Sequence, residues 1–248
     1  MDFGYPWWLS YGHTAIFLPA VLLAWAGWRR RWSTWLLAPL CALALWAGAA
    51  QAVVLLVIRP DVVPPMPTAS FLATGEGRVL DIGAGTGRST IMLLRDRPRA
   101  RAVASDLFGD SFDHHFGHEG SPRERLMRNL RAAGVAERAT VATADMRQLP
   151  FAAGEFDGVV SAFAMDHLNR EGSAQAVREA ARVLKPGGEF LLMLVYNEPW
   201  ARFSYGPMIS HGGYRGGPWW YGQMKEAGFE VAESGTQPLT MWFLGRRK

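Results

Sequence analysis

Two long apolar runs open the chain, and an alternation of short apolar and amphipathic stretches fills the remainder. The first run, Leu9 to Trp28, contains no acidic or basic residue and is interrupted only by His13 and Pro19. The second, Trp35 to Ile58, contains one strongly polar residue, Gln51, with Pro39 and Gly48 as bend points. At about 1.5 Å per residue, each predicts a helix long enough to cross a hydrocarbon layer of about 30 Å. Neither has the polar face that a helix lying on a soluble domain would show. No basic stretch precedes the first run, which argues against a cleaved signal peptide. Residues 1–59 are therefore expected to form a helical membrane hairpin. Trp7, Trp8, Trp28, Trp32 and Trp35 fall at its ends, where indoles favour the lipid–water interface.

The pattern then changes. Residues 60–67 hold Pro60, Pro64, Pro65 and Pro67, which cannot continue a helix and favour a semi-stiff extended linker. From 68 to 248, short β-rich runs alternate with amphipathic helices, the signature of a parallel sheet covered on both faces. Strands are predicted at 78–82, 100–105, 139–144, 156–162 and 189–195. Helices are predicted at 89–95, 121–133, 172–183 and 219–227, with residues 71–74 closing a short helix before the first strand. Lys185-Pro186-Gly187-Gly188 reads as a turn that ends a helix, and residues 196–218 as a long irregular segment rich in aromatics and glycine. Residues 229–234 and 240–246 are expected to form a final antiparallel pair.

Composition changes this picture only a little. The 248 residues suggest one catalytic domain plus an addition, and a net charge of +4 is mildly basic and dispersed. No stretch interleaves Lys, Arg and aromatics as a nucleic-acid surface would, so no nucleic-acid partner is expected. The single Cys41 excludes an intrachain disulfide and fits a reducing compartment.

The chemistry concentrates at Val79-Leu80-Asp81-Ile82-Gly83-Ala84-Gly85-Thr86-Gly87-Arg88-Ser89. This is a strand, a turn too glycine-rich to be ordinary, and a helix start whose unpaired N–H groups face whatever sits on the turn. Asp81 ends the strand, and Asp106 follows the next predicted strand at the spacing where a carboxylate meets the ribose hydroxyls of a bound nucleoside. A dinucleotide fingerprint would want glycine where the chain has Arg88. The D-x-G-x-G-x-G form resembles motif I of the class I S-adenosylmethionine (SAM) methyltransferases. Ala144-Asp145-Met146-Arg147-Gln148-Leu149-Pro150-Phe151 is similar to the segment lying along the adenine in that family. Phe156-Asp157-Gly158-Val159-Val160-Ser161 resembles its fourth-strand motif, and Ala181-Arg182-Val183-Leu184-Lys185-Pro186-Gly187-Gly188 the helix-turn before its fifth strand. The match covers residues 76–195 in the family's order and looks most like the small-molecule enzymes of ubiquinone biosynthesis and phospholipid N-methylation.

The resemblance implies an α/β, Rossmann-like seven-stranded sheet with the last strand antiparallel, here preceded by two hydrophobic membrane helices. It implies SAM as cofactor, leaving as S-adenosylhomocysteine, at the carboxyl ends of the strands. Asp81 is expected to orient the methionine ammonium, and Gly83, Gly85 and Gly87 to admit the methionine and sugar. Asp106, with Leu107 beside it, would take the ribose hydroxyls, and Asp145 and Met146 the adenine; Ser161 completes the expected cofactor set. Arg88 faces either the ligand's carboxylate or water.

For the acceptor, His167 is the candidate general base, with Asp166 beside it, although in-line methyl transfer often needs alignment alone. His114 and His115 lie in an unusual insert after Asp106 whose spacing matches no metal signature, so no metal is expected. That insert reads as a lid, with or without a histidine touching the acceptor. Tyr196 and His211 belong to the aromatic segment placed to cover the acceptor pocket or to rest on lipid headgroups.

The leading reading is a membrane-anchored methyltransferase of a lipid-like acceptor. A methyltransferase of a soluble thiol, amine or metalloid, and a non-catalytic SAM-binding scaffold, remain alternatives, and oligomeric state is open. Topology carries a conflict. Arg29, Arg30 and Arg31 favour a cytoplasmic loop between the runs, whereas a cytoplasmic cofactor wants the catalytic domain on that side. A hairpin that only dips into the cytoplasmic leaflet, or a domain that overrides a short basic loop, would reconcile the two.

Overall fold

The computed structural model describes residues 1–109, 121–206 and 215–248. Its first elements are α1 (Trp7–Arg29) and α2 (Thr34–Val53), the latter running on through a wider π turn, Val54–Ile58. Pro19 and Pro39 lie inside continuous helices. The hairpin is apolar on the outside. Ala20, Gly27, Ala44, Ala47 and Ala50 are buried between the helices, while Leu22, Trp25, Trp35 and Leu45 point outward. Small residues let two backbones approach closely, the arrangement expected where the surroundings are as apolar as the contact. Gln51 answers for its polarity inside the pair. Its Oε1 accepts from Thr14 N (2.9 Å) and Oγ1 (2.8 Å), and its Nε2 donates to Ser10 O (2.8 Å).

The remainder is a seven-stranded sheet with helices on both faces. In chain order it comprises β1 (Glu76–Ile82), α3 (Arg88–Asp96), β2 (Arg99–Asp106), α4 (Pro122–Ala132) and β3 (Ala139–Thr143). These are followed by β4 (Phe156–Ala162), α5 (Arg170–Val183), β5 (Leu184–Val195), α6 (Pro199–Tyr205), α7 (Gly217–Glu226), β6 (Phe229–Gln237) and β7 (Thr240–Arg247). The strand order is β3-β2-β1-β4-β5-β7-β6, parallel through β5, with β7 antiparallel to both neighbours.

Strand parity divides the core. Leu80, Ile82, Val159 and Phe190 join one hydrophobic cluster beneath α5 and α7; Val79, Val160 and Leu191 join the other with α3 and α4. Near-continuous apolar strands follow from burial on both faces. Asp81 shares parity with Val79, so its carboxylate points toward α3.

Four expectations are corrected. Residues 71–74 form turns, with Phe71 fully buried and its carbonyl accepting from Arg97 Nε (2.6 Å). Lys185 to Gly188 belong to the irregular start of β5, where the register with β4 slips between Phe156 and Gly158. The supposed irregular stretch after β5 contains α6, started by Pro199 at a first-turn position where its missing N–H costs nothing. Residues 1–6, given no role beyond the hairpin, place Phe3 in the α3–α4 core at 3% exposure.

Candidate active site

The carboxyl ends of β1, β2 and β4 converge on the glycine turn. Gly83, Gly85 and Gly87 all have positive φ, at +73°, +54° and +92°. At Gly83 the requirement is also steric, because a Cβ there would stand 2.3 Å from Ala164 Cβ and 3.3 Å from Met146 Cε. The turn is pinned to β2 through Gly83 N and Ala84 N, which donate to Ser105 O at 2.8 and 3.0 Å. Gly87 is the N-cap of α3, and its left-handed backbone turns the chain into the helix.

Asp106 closes the other side. Its Oδ2 accepts from Gly85 N (3.0 Å) and its Oδ1 from Phe108 N (3.2 Å). Each oxygen keeps a second lone pair, so the carboxylate can still receive a pair of hydroxyl donors. Desolvation pushes its carboxyl above the usual range, against the pull of the backbone N–H groups of Gly85, Phe108 and Leu107. Leu107 itself is exposed next to it.

Asp81 is fully buried, and its Oδ2 accepts from Ser89 Oγ (2.7 Å) and Thr90 Oγ1 (2.6 Å). Its Oδ1 has no hydrogen-bond partner among the described residues. Burial pushes this carboxyl up to about 6; the two hydroxyls oppose the shift and the nearby Asp106 charge adds to it. An orphaned buried carboxylate oxygen beside a turn that excludes side chains suits a site that receives a cationic group. The residues present therefore fit a nucleoside with an ammonium-bearing tail.

The other expected cofactor residues divide. Met146 Cε lies against the turn, 3.3 Å from where a Cβ at Gly83 would stand. Both oxygens of Asp145 are instead held by Arg147, with Nη2–Oδ2 at 2.6 Å, and this pair draws the Asp145 carboxyl below its usual value. Ser161 is fully buried and spends its hydroxyl on Ile82 O (3.0 Å), inside the sheet. Arg88 faces neither ligand nor bulk water alone, because its Nε and Nη2 donate to Val62 O at 3.1 and 2.7 Å and tie the proline-rich linker to the first turn of α3.

Where the acceptor is expected, Met165–His167 forms a single 3-10 turn after β4, with His167 exposed. Asp166 straps that turn to β5, its Oδ2 accepting from Val195 N (3.1 Å) while Oδ1 has no partner among the described residues. Tyr196 is half-buried against the core. Arg215 was not foreseen. Its Nη2 donates to Asp166 O, Leu168 O and Ser173 Oγ, and its guanidinium lies over the rings of Trp219 and Trp220. His114, His115 and His211 lie outside the described residues.

Sequence reasoning also missed the strap over the glycine turn. Thr86 Oγ1 donates to Phe3 O (3.0 Å), and Asn129 Nδ2 donates to Asp2 O (2.7 Å) and Thr86 O (2.9 Å). The separation between Asp2 and Asn129, 127 positions, leaves no local signal.

This sheet order, with a glycine turn after β1 and a carboxylate at the end of β2, defines the class I SAM-dependent methyltransferase fold. Residues 79–188 match the family described as "Methyltransferase domain", which makes this part of the chain a methyltransferase domain of that class, with SAM as its cofactor. The chain is 32% identical over 131 residues to the ubiquinone/menaquinone biosynthesis C-methyltransferase UbiE of Bartonella tribocorum, covering 52% of this chain and 45% of that protein. It spans less than half the length of the curated relatives it matches first. Among solved structures, an O-methyltransferase family protein from Burkholderia thailandensis superposes with a TM-score of 0.58 at 20% identity, covering 84% of this chain and 60% of that one. The methyltransferase CalH, solved with S-adenosylhomocysteine, gives 0.55 at 18%, covering 70% and 52%. At such identities these two likenesses show the fold alone.

Proposed function

We propose that the protein is a membrane-anchored methyltransferase that transfers the methyl group of SAM to a lipid-like or membrane-partitioned small molecule. The observation that carries the reading is the hairpin, whose large apolar side chains face outward while its small ones pack inward, attached to a methyltransferase domain. Both helices are long and apolar enough to cross a membrane. A relative named for ubiquinone and menaquinone biosynthesis adds support, since a prenylated quinone precursor is the kind of acceptor a bilayer concentrates.

Bound SAM supplies an electrophilic methyl on a sulfonium. Gly83 and Gly85 leave room for it, Asp106 takes the ribose hydroxyls, Met146 offers an apolar face to the adenine, and the free Oδ1 of Asp81 draws the ammonium inward. Asp145 contributes to the adenine end only by sharing its carboxylate with Arg147. His167, on the turn after β4, is the candidate to take a proton from the acceptor, with Asp166 fixing that turn against β5. The hairpin supports a position at the membrane, and cofactor supply favours the cytoplasmic face. The Arg29–Arg31 turn is then at the distal end, with the compact domain overriding a short basic loop.

Protein reconstituted in vesicles with labelled SAM and a membrane lipid extract tests the reading. Label is expected in a lipid-soluble product. Turnover confined to water-soluble thiols or amines would overturn the lipid acceptor, and S-adenosylhomocysteine binding without any turnover would leave a scaffold.

A further inference from the structure

The hairpin does more than precede the domain, because it is fastened to one edge of it. Three attachments can be traced. Asp2 and Phe3 hold Thr86 in the glycine turn and Asn129 in α4. Val62, just past the second helix, accepts from Arg88. The third is α6, which begins four residues after β5 ends. A helix leaves its last carbonyls without intrahelical donors. In α6 two of these are served from within the hairpin: Trp46 Nε1 donates to Phe203 O (2.9 Å), and His13 Nε2 lies 2.5 Å from Ser204 O. Tyr205 OH donates in return to Leu9 O (3.1 Å). The ring of His13 meets those of Trp46 and Tyr205 edge-on, with centroids 5.6 and 5.7 Å away. Burial alone pushes the Tyr205 hydroxyl up to about 12.

All three attachments lie at the carboxyl edge of the sheet, where the glycine turn and the β5 exit are. Their depth can be read along α1. His13 stands six residues inside the helix that begins at Trp7, about 9 Å along its axis. Interfacial helices sink about 5–10 Å into the headgroup–acyl boundary, so with Trp7 at that boundary the end of α6 would stand at the depth such helices occupy. Phe203 on α6 is exposed, and Trp200 adds a second aromatic to this short helix. Aromatic side chains gather at this level of a membrane. The exposed surface of α6 is continuous with the outward apolar surface of the hairpin through the Trp46–Phe203 ring contact.

Resting on the membrane reading above, we propose that the carboxyl edge of the sheet is itself the lipid-facing surface. In this arrangement α6 lies in the headgroup–acyl boundary beside the hairpin, and the active-site mouth opens onto the bilayer. The acceptor class narrows accordingly to amphiphiles whose reacting group sits at headgroup depth while the apolar tail stays in the bilayer. His13 and Trp46 are then the hairpin's means of closing α6 carbonyls that its own packing shields from water.

The test is depth-dependent quenching in vesicles of phosphatidylcholine and phosphatidylglycerol carrying a nitroxide either on the headgroup or deep on the acyl chain. The native thiol is removed by Cys41→Ala. An environment-sensitive fluorophore is then attached at Phe203→Cys on α6, at Leu18→Cys in the middle of α1, or at Glu137→Cys at the amino edge of the sheet. S-adenosylhomocysteine affinity confirms that each variant is folded. The α6 probe is expected to lose about half of its fluorescence to the headgroup nitroxide and less to the deep one, with Leu18 showing the reverse and Glu137 neither. An unquenched α6 probe beside a quenched Leu18 probe would overturn the proposal while leaving the anchor intact, as it would if a second copy or another protein covered α6. Absence of quenching at both positions would overturn the membrane reading and this one with it.

Discussion

Asp81 and Asp106 show how two carboxylates of one motif come to differ. Asp106 sits at the rim and takes two backbone N–H groups, whereas Asp81 is inside, served on one oxygen by Ser89 and Thr90 and on the other by none of the described residues. With its folded pKa raised from 3.8 to about 6, Asp81 binds its proton more tightly in the folded state. Its contribution to stability is full below pH 3.8 and lost as pH rises through about 6. Ligand binding has the opposite sign, since an ammonium needs the ionised form. Affinity for S-adenosylhomocysteine is expected to fall about tenfold per pH unit below the Asp81 pKa, and Asp81→Asn to flatten that dependence; calorimetry across pH 4.5 to 7.5 measures both. Asp106→Ala is expected to abolish binding, and retained affinity in the same titration would dismiss the ribose assignment. His167→Ala is expected to lower turnover and spare S-adenosylhomocysteine affinity. Undiminished turnover would leave methyl transfer to alignment alone.

Among the elements, the glycine turn is built to a close tolerance. It joins β1 to α3 while lying against the β4 exit, and Ala164 occupies the space that any side chain at position 83 would need. Gly83→Ala is expected to cost about 2 kcal/mol or more through overpacking and positive φ, read as a lowered unfolding midpoint together with weaker ligand binding. The order of strands and helices was legible in the sequence because parallel strands buried on both faces read as short apolar runs between amphipathic helices. The start of β5 was misplaced because Pro and Gly signal a break without saying whether a strand or a loop follows. Helix α6 was missed for a different reason. Its seven residues are too few to show a helical period, and its carbonyls are satisfied by His13 and Trp46, more than 150 positions away.

At the scale of the whole molecule, the N-terminal segment is a structural part of the methyltransferase domain as well as its proposed anchor. Phe3 is buried in the α3–α4 core, Asp2 is bonded to Asn129, and the linker is held by Arg88 and by Asp96, whose Oδ2 accepts from Met66 N (2.7 Å). Phe3→Ala is expected to destabilise the methyltransferase domain by about 3 kcal/mol, measured by thermal unfolding in detergent. An unchanged midpoint would mean that the strap contributes nothing to the domain.

The sequence by itself determined the hairpin, the linker, the strand count and the glycine turn with its two acids. Each of these is written locally: in uninterrupted apolar length, in proline density, in the period of the pattern, or in a spacing of a few residues. Tertiary structure alone decided that Asp145 is held by Arg147, that Ser161 turns into the sheet, that Arg88 grips the linker and that Arg215 braces the turn after β4. It alone also decided that the hairpin is fastened at the carboxyl edge of the sheet. The physical reason is common to all of them. A polar group leaving water must find a partner, residue type records only the need, and which group meets it depends on what folding brings within about 3 Å.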